Sequence, residues 1–344
     1  MTIGLTGYGR YVPDRTVAGE TVADRSGVPT DVVVEKMGIV EKRVCPPDDD
    51  HATDMSVAAA EQALDDADVD PADLDLILYH GSEYKDHVVW SAAAAIAERL
   101  GAANAYATES YTLCAGAPIA LRQTRAQLQT GDVETALLVA ASREEDLLDY
   151  GDQDASFMFN FGSGASAMVL ERDPGDRTRA LVQESAAITD GSFADDVVMP
   201  AGGSRRPPSA ETVAEGDHHL TVPDPDGMKE RLGPVSAQNF RSVADEALER
   251  SGFGRDDLDF VALTHMKRSF HEHLVDELDL GAADHHYLDH YGHVQSVDQI
   301  LAVHEGLDRE AIDPGAVVLF LAAGTGYTWS ATVLVWGDRV DPVD

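Results

Sequence analysis

The sequence predicts an α/β fold built from two similar halves, because one acidic and apolar motif occurs twice and further apolar strings repeat in the same order. The motif reads DLDLILYH at residues 73–80 and DLDFVALTH at residues 257–265. Each copy follows an amphipathic stretch, as expected of a buried strand that follows a helix. Each copy also ends in histidine. We therefore predict a duplication, with an N-terminal half at residues 1–172 and a C-terminal half at residues 173–344.

Two further repeats support the duplication. LLVAAS at residues 137–142 matches LFLAAG at residues 319–324, and SAMVL at residues 166–170 matches SATVL at residues 330–334. These strings lie farther apart in the first half, so we expect an insertion around residues 143–162. Alternating helices and buried strands predict parallel or mixed sheets that are covered by helices.

In folds of this kind the chemistry lies just after the buried strands. The residues in those places are His80-Gly81-Ser82-Glu83, Cys114, His265 and Gly324-Thr325-Gly326. Residues 191–233 are rich in Gly, Pro, Asp and Ser and show weak periodicity. We expect them to form loops over the surface or over a site entrance.

The composition excludes several classes of protein. The 344 residues include 62 Asp and Glu against 25 Lys and Arg, which gives a formal net charge of −37. A nucleic-acid partner is not expected, because polyphosphate binding needs a cationic surface. The dense carboxylate and the scarcity of Lys indicate a protein of a halophilic organism, where salt screens the repulsion. The alternative is an acidic protein of dilute cytoplasm.

The predicted location is the cytoplasm. Two cysteines, Cys45 and Cys114, are too few for a disulfide framework and fit a reducing compartment. Residues 1–13 show no targeting pattern, and the longest apolar runs, such as residues 317–323, are too short to cross a bilayer. We therefore expect no membrane association.

Cys114 is the candidate nucleophile. It lies in ESYTLCAGAPIAL at residues 109–121, where a β-prone stretch gives way to small residues and then to a helical pattern. A helix N-terminus favours the thiolate, which is the reactive form of cysteine. The alternative is a small buried apolar cysteine. Cys45, in a loop rich in Pro and Asp, has no comparable setting.

Two histidines are candidate proton carriers. His265 ends its strand, and His293 lies in DHYGHVQSVDQI at residues 289–300, which runs from loop into helix. A metal site is the rival explanation for four other histidines, namely His271, His273, His285 and His286. We predict no metal, because residues at i and i+2 of a helix face different directions.

The order of these motifs resembles the beta-ketoacyl-ACP synthase III branch of the thiolase superfamily. The motifs are MGIVEKR at residues 37–43, LCAG around Cys114, FGSGASAMVL at residues 161–170, His265, YGH ending at His293, and GTGYTW at residues 324–329. The resemblance implies a duplicated thiolase-like αβαβα five-layer fold and a homodimer. It also implies an enzyme without a cofactor, for which acyl-CoA is a substrate.

By this resemblance, Cys114 is acylated by an acyl-CoA and His265 is a catalytic histidine. The backbone N–H groups of Cys114 and Gly326 would form the oxyanion hole, and Gly324 and Thr325 would contact the substrate. The acyl group would then be joined to a malonyl thioester by decarboxylative Claisen condensation. Two imidazole N–H groups would stabilise the enolate that forms when CO2 leaves.

Three positions depart from the family pattern. His293 stands where the family has asparagine, which keeps a hydrogen-bond donor and gives a Cys-His-His set. Val32 stands where a tryptophan stacks on the CoA adenine, with Lys36 nearby. Arg268 replaces another asparagine, and we expect Lys267 and Arg268 to attract a phosphorylated or carboxylated substrate. That substrate is carried by CoA or by an acyl-carrier protein.

The sequence leaves other functions open. HGSE at residues 80–83 resembles an element of HMG-CoA synthases, which places Glu83 as an acid or base for condensation without decarboxylation. Acyl transfer to an oxygen or nitrogen nucleophile is a further alternative. A chain that only scaffolds an assembly is disfavoured, because Cys114, His265 and His293 are all present.

High salt should support function if the acidic composition is an adaptation to it. Salt screens the repulsion among the excess carboxylates and between this surface and an acidic carrier protein. We expect the rate at which an acyl-CoA acylates Cys114 to hold or rise as KCl is titrated toward molar concentration. A rate that falls steadily across this titration would contradict a halophilic origin.

Overall fold

The computed structural model describes residues 1–280 and 283–337; residues 338–344 of the predicted C-terminal half lie outside the described residues. The strands are β1 (Ile3–Tyr11), β2 (Thr16–Ala18), β3 (Glu41–Arg43), β4 (Leu76–Tyr79), β5 (Tyr106–Glu109), β6 (Thr135–Ser142), β7 (Gly164–Arg172), β8 (Ala180–Thr189), β9 (Phe260–Leu263), β10 (Asp284–His285), β11 (Val317–Gly324) and β12 (Thr328–Trp336). The α-helices are α1 (Gly19–Ser26), α2 (Ala52–Ala67), α3 (Ala92–Leu100), α4 (Gly116–Thr130), α5 (Ala210–Ala214), α6 (Pro225–Ser251), α7 (Arg268–Glu277) and α8 (Asp298–Asp308).

Ten of these strands form one sheet, in the order β10-β9-β11-β12-β8-β1-β7-β6-β4-β5. The sheet shows the same arrangement when it is followed inward from either edge. One set of strands is β5, β4, β6, β7 and β1, and the matching set in the same order is β10, β9, β11, β12 and β8. In each set three parallel strands are followed by an antiparallel one. Strands β1 and β8 join the two sets through the pairs Gly4 with Leu181 and Leu5 with Ala180.

Alternate residues along the strands face different layers of helix. One face of both sets packs on α4 and α8 in a shared core, which includes Leu78, Leu121, Leu138, Phe260, Ile300 and Phe320. The opposite face of the first set packs on α2 and α3, and that of the second set packs on α6 and α7. The resulting order of helix, sheet, helix, sheet and helix confirms the predicted duplicated αβαβα fold.

Other predictions about the course of the chain have mixed outcomes. The insertion expected around residues 143–162 is confirmed, because it separates β6 from β7, whereas residues 325–327 alone join β11 to β12. The predicted boundary between residues 172 and 173 falls at the end of β7 and stays a prediction.

The prediction of loops across residues 191–233 is wrong in part, because α5 lies within this range and α6 begins at Pro225. Asp224 caps α6 by accepting a hydrogen bond from the Gly227 N–H at 3.0 Å. Pro225 occupies the first turn, where a missing N–H costs nothing. Glycines and a proline inside the helix interrupt its apolar periodicity, so the sequence pattern did not indicate where the helix begins.

Across residues 1–280 and 283–337, no helix combines the length and the apolar character that crossing a bilayer requires.

Candidate active site

Cys114 lies beyond the carboxyl end of β5, in the 3₁₀ turn Leu113–Ala115 that leads into α4. This is the strand-to-helix junction that the sequence predicts. Leu113 has a φ of 50°, in the left-handed region that side chains rarely adopt. Ser330 on β12 holds the turn from the other half, because its hydroxyl donates to the Ala115 carbonyl at 3.2 Å.

A buried histidine and a buried carboxylate stand next to the thiol. The Cys114 sulfur is 3.0 Å from Nε2 of His293, and Nδ1 of His293 donates to Oδ2 of Asp298 at 2.6 Å. The other carboxylate oxygen accepts the Val294 N–H at 2.7 Å. The three side chains are thus arranged as a nucleophile, a base and a carboxylate that orients the base, as in enzymes that form acyl intermediates.

Asp298 also fixes the second predicted histidine. The backbone N–H of His265 donates to Oδ2 of Asp298 at 2.7 Å. The imidazole of His265 packs on the ring of Tyr287, with centroids 4.4 Å apart, and the Tyr287 hydroxyl donates to the Met266 carbonyl at 2.8 Å. The structure therefore joins Cys114, His293 and Asp298 directly and ties His265 to the same carboxylate.

The two histidines favour opposite protonation states. Burial on its own lowers the pKa of His293, but the carboxylate of Asp298 and a negative charge on Cys114 outweigh it and raise that pKa well above its usual range. For His265, burial is the main cause and the charge of His293 the next, and together they hold its pKa well below the usual range. Asp298 thus favours the imidazolium form of His293, and burial favours the neutral form of His265.

Sequence reasoning missed Asp298. This residue begins α8 and is fully buried, next to apolar positions such as Ile300 and Leu301. A carboxylate is rarely buried without a partner. An acidic residue on the apolar face of a helix, five positions after a candidate histidine, was therefore an available signal.

The glycine loop after β11 packs against the nucleophile turn. A Cβ atom on Gly324 would lie 2.5 Å from the Thr112 carbonyl oxygen and 3.0 Å from the Cys114 nitrogen, so only glycine permits this approach. Gly326 has a φ of 112°, and Thr325 lies between the two glycines. The oxyanion hole at the Cys114 and Gly326 amides and the substrate contacts of Gly324 and Thr325 stay predictions.

Glu83, the predicted acid or base, is exposed in the loop after β4. A different carboxyl group is buried in this part of the molecule. Ser82 donates to Oε1 of Glu144 at 2.7 Å, and both residues are buried. Sequence reasoning missed Glu144, which lies in the insertion after β6.

The two predicted cations after His265 differ in their surroundings. Arg268 donates to Oδ2 of Asp289 at 2.8 Å and lies 4.5 Å from the centroid of the Tyr287 ring, so its charge is largely offset. Lys267 is half-buried, and burial first and the charge of Lys229 second lower its pKa. A role in attracting substrate stays a prediction and fits Lys267 better than Arg268.

The histidines considered as metal ligands do not gather into a site. His271 lies in α7, with its ring centroid 5.0 Å from that of His285. In the part of the chain that the structure describes, no group of three or more His, Cys, Asp or Glu has the arrangement of a metal site.

A buried Cys–His–Asp group at the strand ends of a duplicated five-layered fold defines an acyl-transferring enzyme of the thiolase type. Comparison with known protein families agrees with this class. The profile described as 3-oxoacyl-[acyl-carrier-protein (ACP)] synthase III matches residues 109–191. The profile of the C-terminal part of the same family matches residues 248–336. Together the two matches span half of the chain.

Individual relatives extend the similarity over nearly the whole length. A beta-ketoacyl-[acyl-carrier-protein] synthase III of Chlamydia caviae is 27% identical over 327 residues, which are 95% of this chain and 94% of the relative. The priming beta-ketosynthase of the R1128 polyketide pathway is 26% identical, with a TM-score of 0.81 over 98% of this chain and 97% of that one. The fold is shared with the 3-oxoacyl-[acyl-carrier-protein] synthase III of Aquifex aeolicus, at 21% identity and a TM-score of 0.82 over 97% of this chain and all of that one.

The chain belongs to the 3-oxoacyl-ACP synthase III family. It is a condensing enzyme, a transferase that forms carbon–carbon bonds.

Replacing Asp298 with asparagine should disable Cys114 while leaving its surroundings in place. Without the carboxylate, the pKa of His293 falls, and the imidazolium is lost as the pH rises through this lower value. We expect single-turnover acylation at neutral pH to slow by up to about 10⁴-fold, the loss seen when a triad aspartate is replaced by asparagine. The basic limb of the pH profile should move to lower pH. Rapid quench and intact-mass spectrometry measure both effects.

Asp308→Asn, an exposed position on the same helix, is the matched control and should acylate like the unmodified enzyme. An Asp298→Asn enzyme that retains the full rate would remove Asp298 from the mechanism.

Proposed function

We propose that an acyl-CoA acylates Cys114 and that the acyl group is then joined to a malonyl thioester with loss of CO2. The observation that carries this proposal is the 3.0 Å contact between the Cys114 sulfur and Nε2 of His293, backed by Asp298. The names of the relatives support it, because they describe beta-ketoacyl synthases that act on an acyl-carrier protein. The substrates complete the chemistry, and we propose that no cofactor takes part.

In the first half-reaction the Cys114 thiolate attacks the acyl-CoA carbonyl beside the imidazolium of His293. The oxyanion that develops would be stabilised by the backbone N–H groups of Cys114 and Gly326. When the C–S bond to CoA breaks, His293 gives its proton to the departing thiolate. The products are acyl-Cys114, free CoA and a neutral His293 held by Asp298 through Nδ1.

In the second half-reaction the malonyl carboxylate leaves as CO2, and its electron pair becomes an enolate. The neutral His265 donates an N–H to the enolate oxygen. His293, whose pKa Asp298 raises, takes up a proton from solvent and donates from Nε2. The enolate carbon attacks the acyl carbonyl and expels the Cys114 thiolate beside the imidazolium, which restores the starting pair.

The same geometry supports acyl transfer to an oxygen or nitrogen nucleophile as a second candidate. Asp298 fixes the proton of neutral His293 on Nδ1, which leaves the lone pair of Nε2 as a general base. An asparagine at position 293 could not remove a proton from an alcohol or an amine. The alternative that depends on Glu83 receives less support, because Glu83 is exposed.

The proposal is tested by following acyl groups and CO2 separately. Intact-mass spectrometry after incubation with acetyl-CoA and longer acyl-CoAs should show one acyl adduct, which Cys114→Ala abolishes. Malonyl-CoA and a malonyl carrier protein should then discharge the adduct and release CO2. Because His265 acts on the enolate and His293 on both steps, His265→Ala should slow decarboxylation more than acylation, and His293→Ala should slow both.

Other outcomes separate the candidates. If no adduct forms, or if it persists in Cys114→Ala, the nucleophile is wrongly assigned. If malonyl thioesters are inert while an alcohol or amine removes the acyl group, the second candidate replaces the first. If acetoacetyl-CoA discharges acetyl-enzyme and Glu83→Gln prevents this, condensation without decarboxylation is the activity.

We also propose that the enzyme is a homodimer through the edge of the sheet formed by β5. β5 is the end strand of the sheet, and Tyr106 on it is about half exposed. The nearby loop after β4 carries Val88 and Val89, which are 87% and 105% exposed. Exposed apolar side chains next to an open strand edge are typical of an interface, because the edge can pair with another chain and the apolar side chains gain by leaving water.

A double replacement of Val88 and Val89 by aspartate should weaken this dimer, since it adds charges to both sides of a twofold interface. Light scattering in high salt should show a dimer for the unmodified protein and a shift toward monomer for the variant. Val213→Asp, at an exposed valine on α5, should stay dimeric. A monomeric unmodified protein would contradict the proposal.

A further inference from the structure

Lys42 is a buried lysine that has no part in the mechanism described above. It is the central residue of β3 and has no exposed surface. Its Nζ donates a hydrogen bond to the Phe161 carbonyl at 2.6 Å and lies 5.4 Å from the centroid of the Tyr150 ring. A buried ammonium group is costly unless such contacts offset the loss of water. The residue whose carbonyl it holds, Phe161, is a neighbour of His293.

Phe161 contacts His293 through both its ring and its backbone. The two rings meet edge to face, with centroids 5.1 Å apart. The backbones pair as in a parallel bridge. The His293 N–H donates to the Asn160 carbonyl at 2.8 Å, and the Gly162 N–H donates to the His293 carbonyl at 2.9 Å. Both backbone polar groups of His293 are therefore bound to the segment whose carbonyl Lys42 holds.

The strand that carries Lys42 also holds the residues just before His293. The Arg43 N–H donates to the Tyr291 carbonyl at 3.0 Å. Gly292 has a φ of 78°, and a Cβ atom on it would lie 2.9 Å from the Lys42 Cβ. The backbone of β3 and the stem of Lys42 therefore fix the chain where it enters His293.

We propose that Lys42 is a positioning residue that holds His293 at its distance from Cys114. It fixes the Phe161 carbonyl, and the segment around Phe161 fixes both the backbone and the ring of His293. Without the ammonium group this buried carbonyl would lose its donor, and the segment would shift to recover one. The inference rests on the proposed function for the reaction that His293 serves, but not for the contacts themselves.

The charged groups around this junction bear on its test. Burial lowers the pKa of Lys42 to about 8, an effect that Glu145 opposes and Arg25 reinforces. The titratable groups that act on His293 are Asp298, Cys114, His265 and Glu144. Asp298 and a negative charge on Cys114 raise the pKa of His293, so a displaced imidazole would lose part of this stabilisation.

The test reads the imidazolium of His293 through two alkylating agents. Iodoacetate is an anion and gains from a positive charge beside Cys114, whereas iodoacetamide is neutral and does not. The ratio of their rates should therefore fall at the pH at which His293 loses its proton. Cys45 does not interfere, because it is buried and burial raises the pKa of its thiol to about 11.

Lys42→Met keeps an unbranched side chain but removes the donor. We expect the midpoint of the fall to move to lower pH by about 0.5–1 unit, because His293 would pack less closely on Cys114 and Asp298. Acylation of Cys114 should slow by about 10–100-fold, the cost of a small misplacement. The direction separates position from charge, since loss of a positive charge alone would raise the pKa of a nearby imidazole.

Arg143→Met is the matched control. Arg143 is also a buried cation, and it also holds backbone carbonyls, those of Pro46, Asp49 and Asp50. This variant should leave the midpoint and the acylation rate unchanged. An unchanged or higher midpoint in Lys42→Met would overturn the proposal, and so would an equal shift in Arg143→Met.

If Lys42→Met does not fold, Lys42→Gln is the second variant. Glutamine keeps a polar end but is one atom too short to reach the Phe161 carbonyl, so the midpoint should again move to lower pH, and an unchanged midpoint overturns the proposal. Alkylation needs no acyl substrate. A failure of the unmodified enzyme to form acyl-Cys114 would therefore count against the proposed function and not against Lys42.

Discussion

The reaction centre depends on one buried carboxylate. Asp298 accepts hydrogen bonds from the His293 imidazole, the His265 backbone and the Val294 backbone. A charge in this place would be costly without such partners, and two of them belong to the histidines that we propose as catalytic. The same contacts that make the buried charge tolerable orient His293 toward Cys114 and raise its pKa, whereas burial and the charge of His293 lower the pKa of His265.

Much of the fold was predictable, because burial leaves a regular signature in sequence. Strands that are covered on both faces appear as apolar runs, and their repetition at residues 73–80 and 257–265 predicted the two sets of strands. The prediction of loops failed where the apolar periodicity of a helix was interrupted. α6 begins within a stretch rich in glycine and proline, and its start is determined by the cap at Asp224, which periodicity does not register.

The candidate site was predictable to a lesser extent, and for a physical reason. Cys114, His265 and His293 stand next to strand ends or helix starts, so their neighbours in sequence pointed to them. Glu144 bonds to Ser82, which lies 62 positions away in the sequence, and composition does not reveal that Asp298 is buried. In a chain with 62 acidic residues, composition does not distinguish a buried carboxylate, and the signal for Asp298 was its place on the apolar face of α8.

Three hydrogen bonds from side-chain hydroxyl groups to backbone carbonyls connect the two halves. Ser296 donates to His80, Ser330 to Ala115 and Thr332 to Pro118, at 2.9–3.2 Å. Each bond runs from the half that supplies the histidines to the half that supplies the thiol. The proposed reacting groups are therefore divided between the two halves, because the thiol lies in one and the two histidines lie in the other. A substitution that shifts one half against the other would therefore separate the thiol from the histidines.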